Sequence, residues 1–421
     1  MMDNIFFYEN FYKGSRPIIE IKKEPDAFIV EEITKDGRQL EINKYNGFTG
    51  GEGDFLYFVM QKKDWATDIA IKKIAKSLYL SKKRFSFAGS KDKRALTVQL
   101  ACLFAGKNAK EHLIEEKLLN IKIKGIDILE CYYSNKKLNI GDLKGNRFTI
   151  KINDYSRYSI KFLSEHGNVF PNYFGPQRFG ETRMISHIIG YFIVKGLFKE
   201  AVMTYLTYTS NSEPQKIKEA RHMLKNEQNF KEALKYFPKS LKHERTLLAH
   251  LSKYENDYVN ALRHLPRQTL LMFVHALQSY IFNMQLSYKL LNGITKEENE
   301  YYCKKDALGF PLIEEKTENN GYLCMPIIGY ETKTTKEQDE LLANIGIKKE
   351  DFKIRSIPEL SLKGSYRVCF APFIDFKELD GNVSFKLPAG SYATIFLNEI
   401  AQIKDFKLYN IVNIKEFIKE F

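Results

Sequence analysis

Cysteine is scarce in this chain. The five in 421 residues, Cys102, Cys131, Cys303, Cys324 and Cys369, are odd in number, widely spread and without a C-x-x-C pair. That spacing fits neither a secreted disulfide framework nor a zinc ribbon. The eight histidines (112, 166, 187, 222, 243, 250, 264 and 275) contain no H-x-x-x-H pair. Glu115 and Glu116 lie one helical turn from His112, but no second His or Cys joins them, so no metal is expected. Long apolar runs are missing too: stretches such as 188–194 fall far short of a membrane span. The opening MMDNIFFYENFYK carries Asp3 and Glu9 and has no basic region ahead of an apolar run, so a cytoplasmic location and no membrane partner are expected. There is no G-x-x-x-x-G-K-[ST], and Gly50-Gly51-Glu52-Gly53 precedes a strand rather than a helix, which makes it a turn. ATP- or dinucleotide-dependent chemistry is disfavoured accordingly. Tandem repeats and low-complexity tracts are absent as well.

What is present describes a soluble globular protein, with 44% hydrophobic and 28% charged residues. The length suits two domains, or one core with a large insertion. Lys and Arg outnumber Asp and Glu by 65 to 52, a net charge of +13 that favours a polyanionic partner such as nucleic acid. With 31 Phe and 25 Tyr against one Trp, aromatics and bases together suit a surface that stacks on nucleobases and neutralises phosphates. The plainer reading of most of those rings is ordinary core.

Residues 17–33 alternate apolar and polar on either side of Pro25, predicting two short extended segments joined at a turn. A buried strand is expected at 55–60. From Ala66 to Leu80 the period becomes helical, with Ala70, Ile71, Ile74, Ala75 and Leu78 on one face, Lys72, Lys73 and Lys76 on the other, and Asp64 or Thr67 as N-cap. A turn at 89–93 leads into a strand over 95–104. Phe148, Ile150 and Ile152 predict another strand, after a turn at Lys144-Gly145-Asn146. Helical periodicity dominates from Thr182 to Leu290; residues 294–355 read as charged and turn-rich. Strands are expected again at 366–373 and 383–387, and a helix over 391–403. The fold class is α+β, with a mixed or antiparallel sheet core built from both ends of the chain around a largely helical insertion.

The densest basic stretch, 72–94, holds Lys72, Lys73, Lys76, Lys82, Lys83, Arg84, Lys91, Lys93 and Arg94 against one acid, Asp92. Cations around a carboxylate favour its charged form, which can act as nucleophile or general base at an electron-poor carbon. Alternatively Asp92 only stabilises its turn. In 172–180, Asn172, Tyr173, Phe174, Gln177, Arg178 and Phe179 surround Gly175 and Gly180. Rings beside amides and a guanidinium suit a nucleobase, and equally a tightly packed turn. The stripe of Phe273, Leu277 and Ile281 behind Gln278–Asn283 reads as core. Residues 387–394 form a strand-to-helix turn that either binds an anion or carries a plain N-cap at Ser391.

Taken together, these islands resemble the TruD family of tRNA pseudouridine synthases. Gly89, Lys91, Asp92, Ala95, Thr97 and Gln99 meet its G-x-K-D-x-x-A-x-T-x-Q pattern, and 172–180 meets N-Y-F-G-x-Q-R-F-G. Gly145, Asn146 and Phe148 match G-N-x-F, Lys22, Pro25 and Phe28 match K-x-x-P-x-x-F, and 387–394 matches L-P-x-G-S-[YF]-A-T. The resemblance implies a pseudouridine-synthase core at 1–180 and 356–421, with an inserted domain at 181–355. It implies isomerisation of uridine, at position 13 of tRNA, with Asp92 as the catalytic aspartate and no cofactor. Phe148 would then stack on the flipped base, Asn146 would support the Asp92 loop, and Lys22 and Phe28 would line the pocket. Lys91, Asn172, Phe174, Gln177 and Arg178 complete the candidate substrate contacts. A protein that binds or chaperones tRNA without catalysis, and without need of Asp92, is the rival reading. The oligomeric state is left open, with a monomer as one option.

Overall fold

Alternation on both sides of Pro25 and along 55–60 resolves into paired strands in the computed structural model, which describes residues 7–21, 24–48, 51–106, 113–318 and 320–419. The first part forms β1 (Ile18–Ile19), β2 (Phe28–Thr34), β3 (Phe55–Lys63), α1 (Thr67–Ser77), β4 (Phe85–Phe87), β5 (Leu96–Phe104), α2 (Ile114–Leu119), β6 (Ile126–Ser134), β7 (Leu143–Lys151), α3 (Arg157–Glu165) and β8 (Val169–Pro171). Helices follow: α4 (Ser186–Val194), α5 (Phe198–Thr207), α6 (Gln215–Glu227), α7 (Phe230–Tyr236), α8 (Lys242–Leu251), α9 (Tyr258–Arg263) and α10 (Arg267–Asn292). The last part holds β9 (Tyr301–Lys305), β10 (Pro311–Thr317), β11 (Tyr322–Ile327), α11 (Lys336–Asn344), β12 (Ser365–Val368), β13 (Phe370–Pro372), β14 (Ile374–Leu379), β15 (Asn382–Pro388), α12 (Ala393–Ile400), β16 (Gln402–Ile403) and α13 (Ile414–Lys419). The class is α+β, as expected.

The main sheet runs β14-β15-β7-β2-β5-β3-β6, with β4 added on β5. Its pairings are antiparallel except that of β2 with β5. Strands from both ends of the chain share it. β5 changes neighbour partway: Leu96–Val98 pair with β2 and Ala101–Leu103 with β4. Between them the Leu100 N–H donates to the Glu32 carboxylate at 3.0 Å, a side chain supplying the acceptor where the sheet divides. Alternation along β3 and β5 sends Leu56, Phe58, Met60, Ala101 and Leu103 against Ala70, Ile71 and Ile74 of α1. Val59, Val98 and Leu100 point the other way, among Leu40 and Phe48. At roughly 1.5–3 kcal/mol for each large apolar side chain buried, the two layers hold α1 and the sheet together.

A second sheet runs β10-β9-β11-β12. The short pairs β8–β13 and β1–β16 tie the N-terminal part to the C-terminal part. α4 is buried along all nine residues and packs against α10; a Cβ on Gly190 would lie 2.1 Å from the Phe273 carbonyl oxygen, so only glycine lets the two backbones meet. Among the described residues no helix is long and apolar enough to cross a membrane.

Several local expectations change. Ala66, not Asp64 or Thr67, is the N-cap of α1, with no side-chain bond, because the Thr67 hydroxyl is engaged elsewhere. Lys144-Gly145-Asn146 is no turn but lies within β7, opposite β2 and β15; a Cβ on Gly145 would meet the Leu387 carbonyl oxygen at 2.2 Å, so this glycine serves close packing. Tyr392 rather than Ser391 precedes α12, since the Ser391 hydroxyl donates to Asn172 Oδ1 at 3.0 Å. Residues 294–355 contain three strands, not only turns. Asp3, Lys22, Gly50 and His112 lie outside the described residues.

Candidate active site

Asp92 sits on the loop between β4 and β5, and side chains from four elements hold that loop. Lys91 Nζ lies 2.6 Å from Glu32 Oε2 of β2, and the two side chains are only 4% and 0% exposed. The Lys91 N–H donates to Thr67 Oγ1 of α1 at 3.0 Å, and the Thr67 hydroxyl donates to Gln99 Oε1 of β5 at 2.9 Å. Gln99 Nε2 returns to the Gly89 carbonyl at 3.0 Å, and Lys62 Nζ of β3 donates to the Asp92 carbonyl at 2.8 Å. With the backbone so fixed, the Asp92 side chain is left half-buried, its Oδ1 accepting from Gln177 Nε2 at 2.8 Å. Burial pulls the Lys62 amine down to about 8; the nearby Asp92 charge opposes that pull and Lys91 adds to it.

The basic stretch divides once folded. Lys82 pairs with Asp68, and the Arg84 guanidinium donates to the Phe104 and Ala105 carbonyls at 2.8 and 2.9 Å. Lys72, Lys73 and Lys76 are exposed on α1. Lys93 and Arg94 are exposed immediately after Asp92. Counting acids along 72–94 overlooked Glu32, which arrives from another strand.

Asn146 and Phe148 project from one face of β7, opposite Glu32 and Val30 of β2. Asn146 is thus the cross-strand neighbour of the carboxylate that holds Lys91, and its Oδ1 is buried without a hydrogen-bond partner among the described residues. Phe148 is 5% exposed; its ring stacks on Phe385 at 5.7 Å and meets half-buried Phe28 edge-on at 6.2 Å.

The 172–180 segment separates into wall and edge. Asn172 is buried, donating from Nδ2 to the Val368 carbonyl and accepting at Oδ1 from Arg367 and Ser391. The Phe174 peptide is clamped by Asn283, which accepts its N–H at 2.8 Å and donates to its carbonyl at 3.0 Å. Its buried ring lies against the guanidiniums of Arg367 at 4.2 Å and Arg178 at 5.3 Å. Gln177 is exposed and Arg178 half-buried. Gln177 therefore stands at the Asp92 carboxylate, with Arg178 beside it, while Asn172 and Phe174 form the structure behind them.

Glu32, Lys62 and Arg367 were not singled out from the sequence, and Thr67 was read only as a helix cap. The available signal was a charge in an otherwise apolar strand for Glu32 in FIVEEIT and Lys62 near the end of FLYFVMQKK, whereas Arg367 in SYRV carried no such signal. A cavity of about 450 Å³ lies away from Asp92, between α4, α6, α8 and α10, where Arg183 and Arg221 pair with Glu213 and Glu244. Among the described residues no group of three or more His, Cys, Asp or Glu is placed to hold a metal ion.

Residues 11–400 match the family model for tRNA pseudouridine synthase D (TruD). A protein of Methanococcus maripaludis named "Probable tRNA pseudouridine synthase D" is 38% identical, over 90% of this chain and 94% of its own. One of the same name from Methanosarcina acetivorans is 32% identical over 92% and 93%. The crystal structure of a Methanosarcina mazei protein described as a tRNA pseudouridine synthase D superposes with a TM-score of 0.69 at 29% identity, covering 95% of this chain and 97% of that one. A match of this extent in sequence and in fold settles the family: the chain belongs to the tRNA pseudouridine synthases D.

Proposed function

We propose that this chain isomerises uridine to pseudouridine in tRNA, at position 13, in the cytoplasm, with Asp92 as the essential carboxylate and no cofactor. The reaction breaks the bond between uracil N1 and ribose C1′, turns the base, and joins C5 to C1′. The C5 proton leaves and N1 gains one, so atoms and electrons balance without an oxidant, nucleotide or metal. The chain must then hold a flipped base and present one carboxylate to the reacting carbons. Extracting the uridine from its stack costs roughly a few kcal/mol, which the pocket has to offset.

One observation carries this reading: the Lys62, Thr67 and Gln99 side chains fix the backbone around Asp92 and Glu32 holds the Lys91 side chain, while the Asp92 carboxylate remains half-buried with an amide on Oδ1. A turn-stabilising Asp would bond to its own loop. Asn146, with an unused carbonyl oxygen next to the Lys91–Glu32 pair, is suited to accept from the uracil imide. Phe28 and Phe148 make the aromatic side of the pocket. Residues 1–180 and 356–421 act as the catalytic core, and 181–355 as the inserted domain. Carbodiimide labelling and primer extension on a tRNA transcript, before and after incubation with the protein, test the assignment. A stop one nucleotide 3′ of position 13, absent when that uridine is replaced by cytidine, is expected; a stop elsewhere, or none, overturns it.

A further inference from the structure

Arg178 and Arg367 form an unusual pair. Both guanidiniums lie over the Phe174 ring, at 5.3 and 4.2 Å, so two like charges share one aromatic ring. Neither has a carboxylate partner among the described residues. Arg367 is 8% exposed and donates to neutral oxygens only: the Asn172 carbonyl at 3.0 Å, Asn172 Oδ1 at 2.7 Å and the Gly390 carbonyl at 3.0 Å. Burial pushes it down to about 10; Tyr392 opposes that and Arg178 adds to it. Among the described residues Arg178 makes no side-chain hydrogen bond, and its Nε is buried with no acceptor. Buried cations are ordinarily paired, because desolvating a lone charge is expensive. Here the Arg367 hydrogen bonds hold the wall rigid, and Arg178 is left with donors that no described residue accepts. Its neighbour Gln177 touches the Asp92 carboxylate.

We infer that Arg178, backed by Arg367 on the same Phe174 ring, binds a phosphodiester next to the target uridine and so pins the flipped nucleotide against Asp92. This rests on the isomerase reading above and adds the chemical group that the arginine takes. A guanidinium suits the role, since it is planar, permanently charged and able to grip two phosphate oxygens at once. Arg367 would not itself touch RNA. It adds to the positive potential and fixes the ring on which Arg178 rests.

The test combines the full-length protein with tRNA carrying tritium at C5 of the target uridine. In two further RNAs a neutral methylphosphonate replaces the phosphate on either the 5′ or the 3′ side of that nucleotide. With wild type, one of the two replacements should lower single-turnover tritium release roughly 10- to 100-fold, the usual weight of a charge-assisted hydrogen bond. Arg178→Gln should lose a similar factor on natural tRNA and almost nothing more on the sensitive methylphosphonate RNA. Its salt dependence of binding should fall by about one charge. Arg178→Lys should recover part of the loss. If wild type tolerates both methylphosphonates, or if the losses multiply in the variant, the inference is overturned, and the wild-type arm does so without relying on the variant's folding. Absence of release by wild type from natural tRNA would instead defeat the isomerase reading, and the salt slope would still judge the phosphate contact.

Discussion

Replacing Glu32 with Gln removes one charge from a pair that is almost wholly enclosed, with side chains 0% and 4% exposed and atoms 2.6 Å apart. At an effective dielectric of about 20, the attraction at that distance is about 6 kcal/mol. Taking both ions out of water costs several kcal/mol each, so the intact pair contributes little net stability. Breaking it is different. Glu32→Gln keeps an oxygen to accept from the Leu100 N–H, but it leaves the Lys91 ammonium buried and alone. A loss of roughly 3–5 kcal/mol is expected. Lys91→Met strands the carboxylate and should cost a comparable amount. The double variant Glu32→Gln/Lys91→Met buries no net charge, so its loss should fall short of the sum by about 2 kcal/mol or more. Urea unfolding followed by fluorescence reads this locally, because the single tryptophan, Trp65, stands just beyond β3 with its indole N–H on the Lys124 carbonyl. Turnover should fall in all three variants, since the Asp92 loop loses an anchor. Single variants within about 1 kcal/mol of wild type, with additive losses in the double, would refute the claim that this pair holds the loop.

Three further outcomes are expected. Lys62→Met should lower turnover at least about tenfold, because the Asp92 carbonyl loses its donor. In the folded chain burial brings the Lys62 amine down from 10.5 to about 8, so the unfolded chain takes up that proton first as pH falls from 10.5 towards 8. Below about 8 the stability lost through this group, at most about 3 kcal/mol, is complete. Thermal melts should accordingly show Lys62→Met gaining relative to wild type as pH drops through that window, and a constant difference would contradict the assignment. Lys93→Ala/Arg94→Ala should weaken tRNA binding and reduce its salt slope by about two charges, because both residues are exposed beside Asp92; an unchanged slope would place the RNA elsewhere. Phe148→Leu should cost about 1 kcal/mol of stability through the lost stack on Phe385, and should reduce single-turnover rate more than tRNA affinity. Equal losses of rate and affinity would identify the ring as core alone.

Much of the fold could be read from local pattern, because long periodic segments bury what they advertise. Helix α1 and strands β3 and β5 are of this kind, their apolar faces meeting in one layer. Asp92 stood out for a chemical reason, a lone acid in a basic turn. Its environment was not, since its supports come from distant places. Glu32 lies 59 positions before Lys91, and Gln177 lies 85 after Asp92. Local rules failed where tertiary contacts claimed the residue. Gly145 reads as a turn, yet it admits the Leu387 carbonyl. Thr67 and Ser391 read as helix caps, yet their hydroxyls fix the Asp92 loop and Asn172. β9 and β10 escaped notice because charged side chains such as Lys304 and Glu315 face solvent and interrupt the apolar alternation.

The most direct test of the account uses tRNA with tritium at uridine C5, purified protein and no added cofactor, comparing wild type with Asp92→Ala. Joining C5 to C1′ expels the tritium to water, so wild type should release it and Asp92→Ala should not, while both bind the tRNA with similar affinity. Release by the variant at the wild-type rate would show that a different group carries the chemistry.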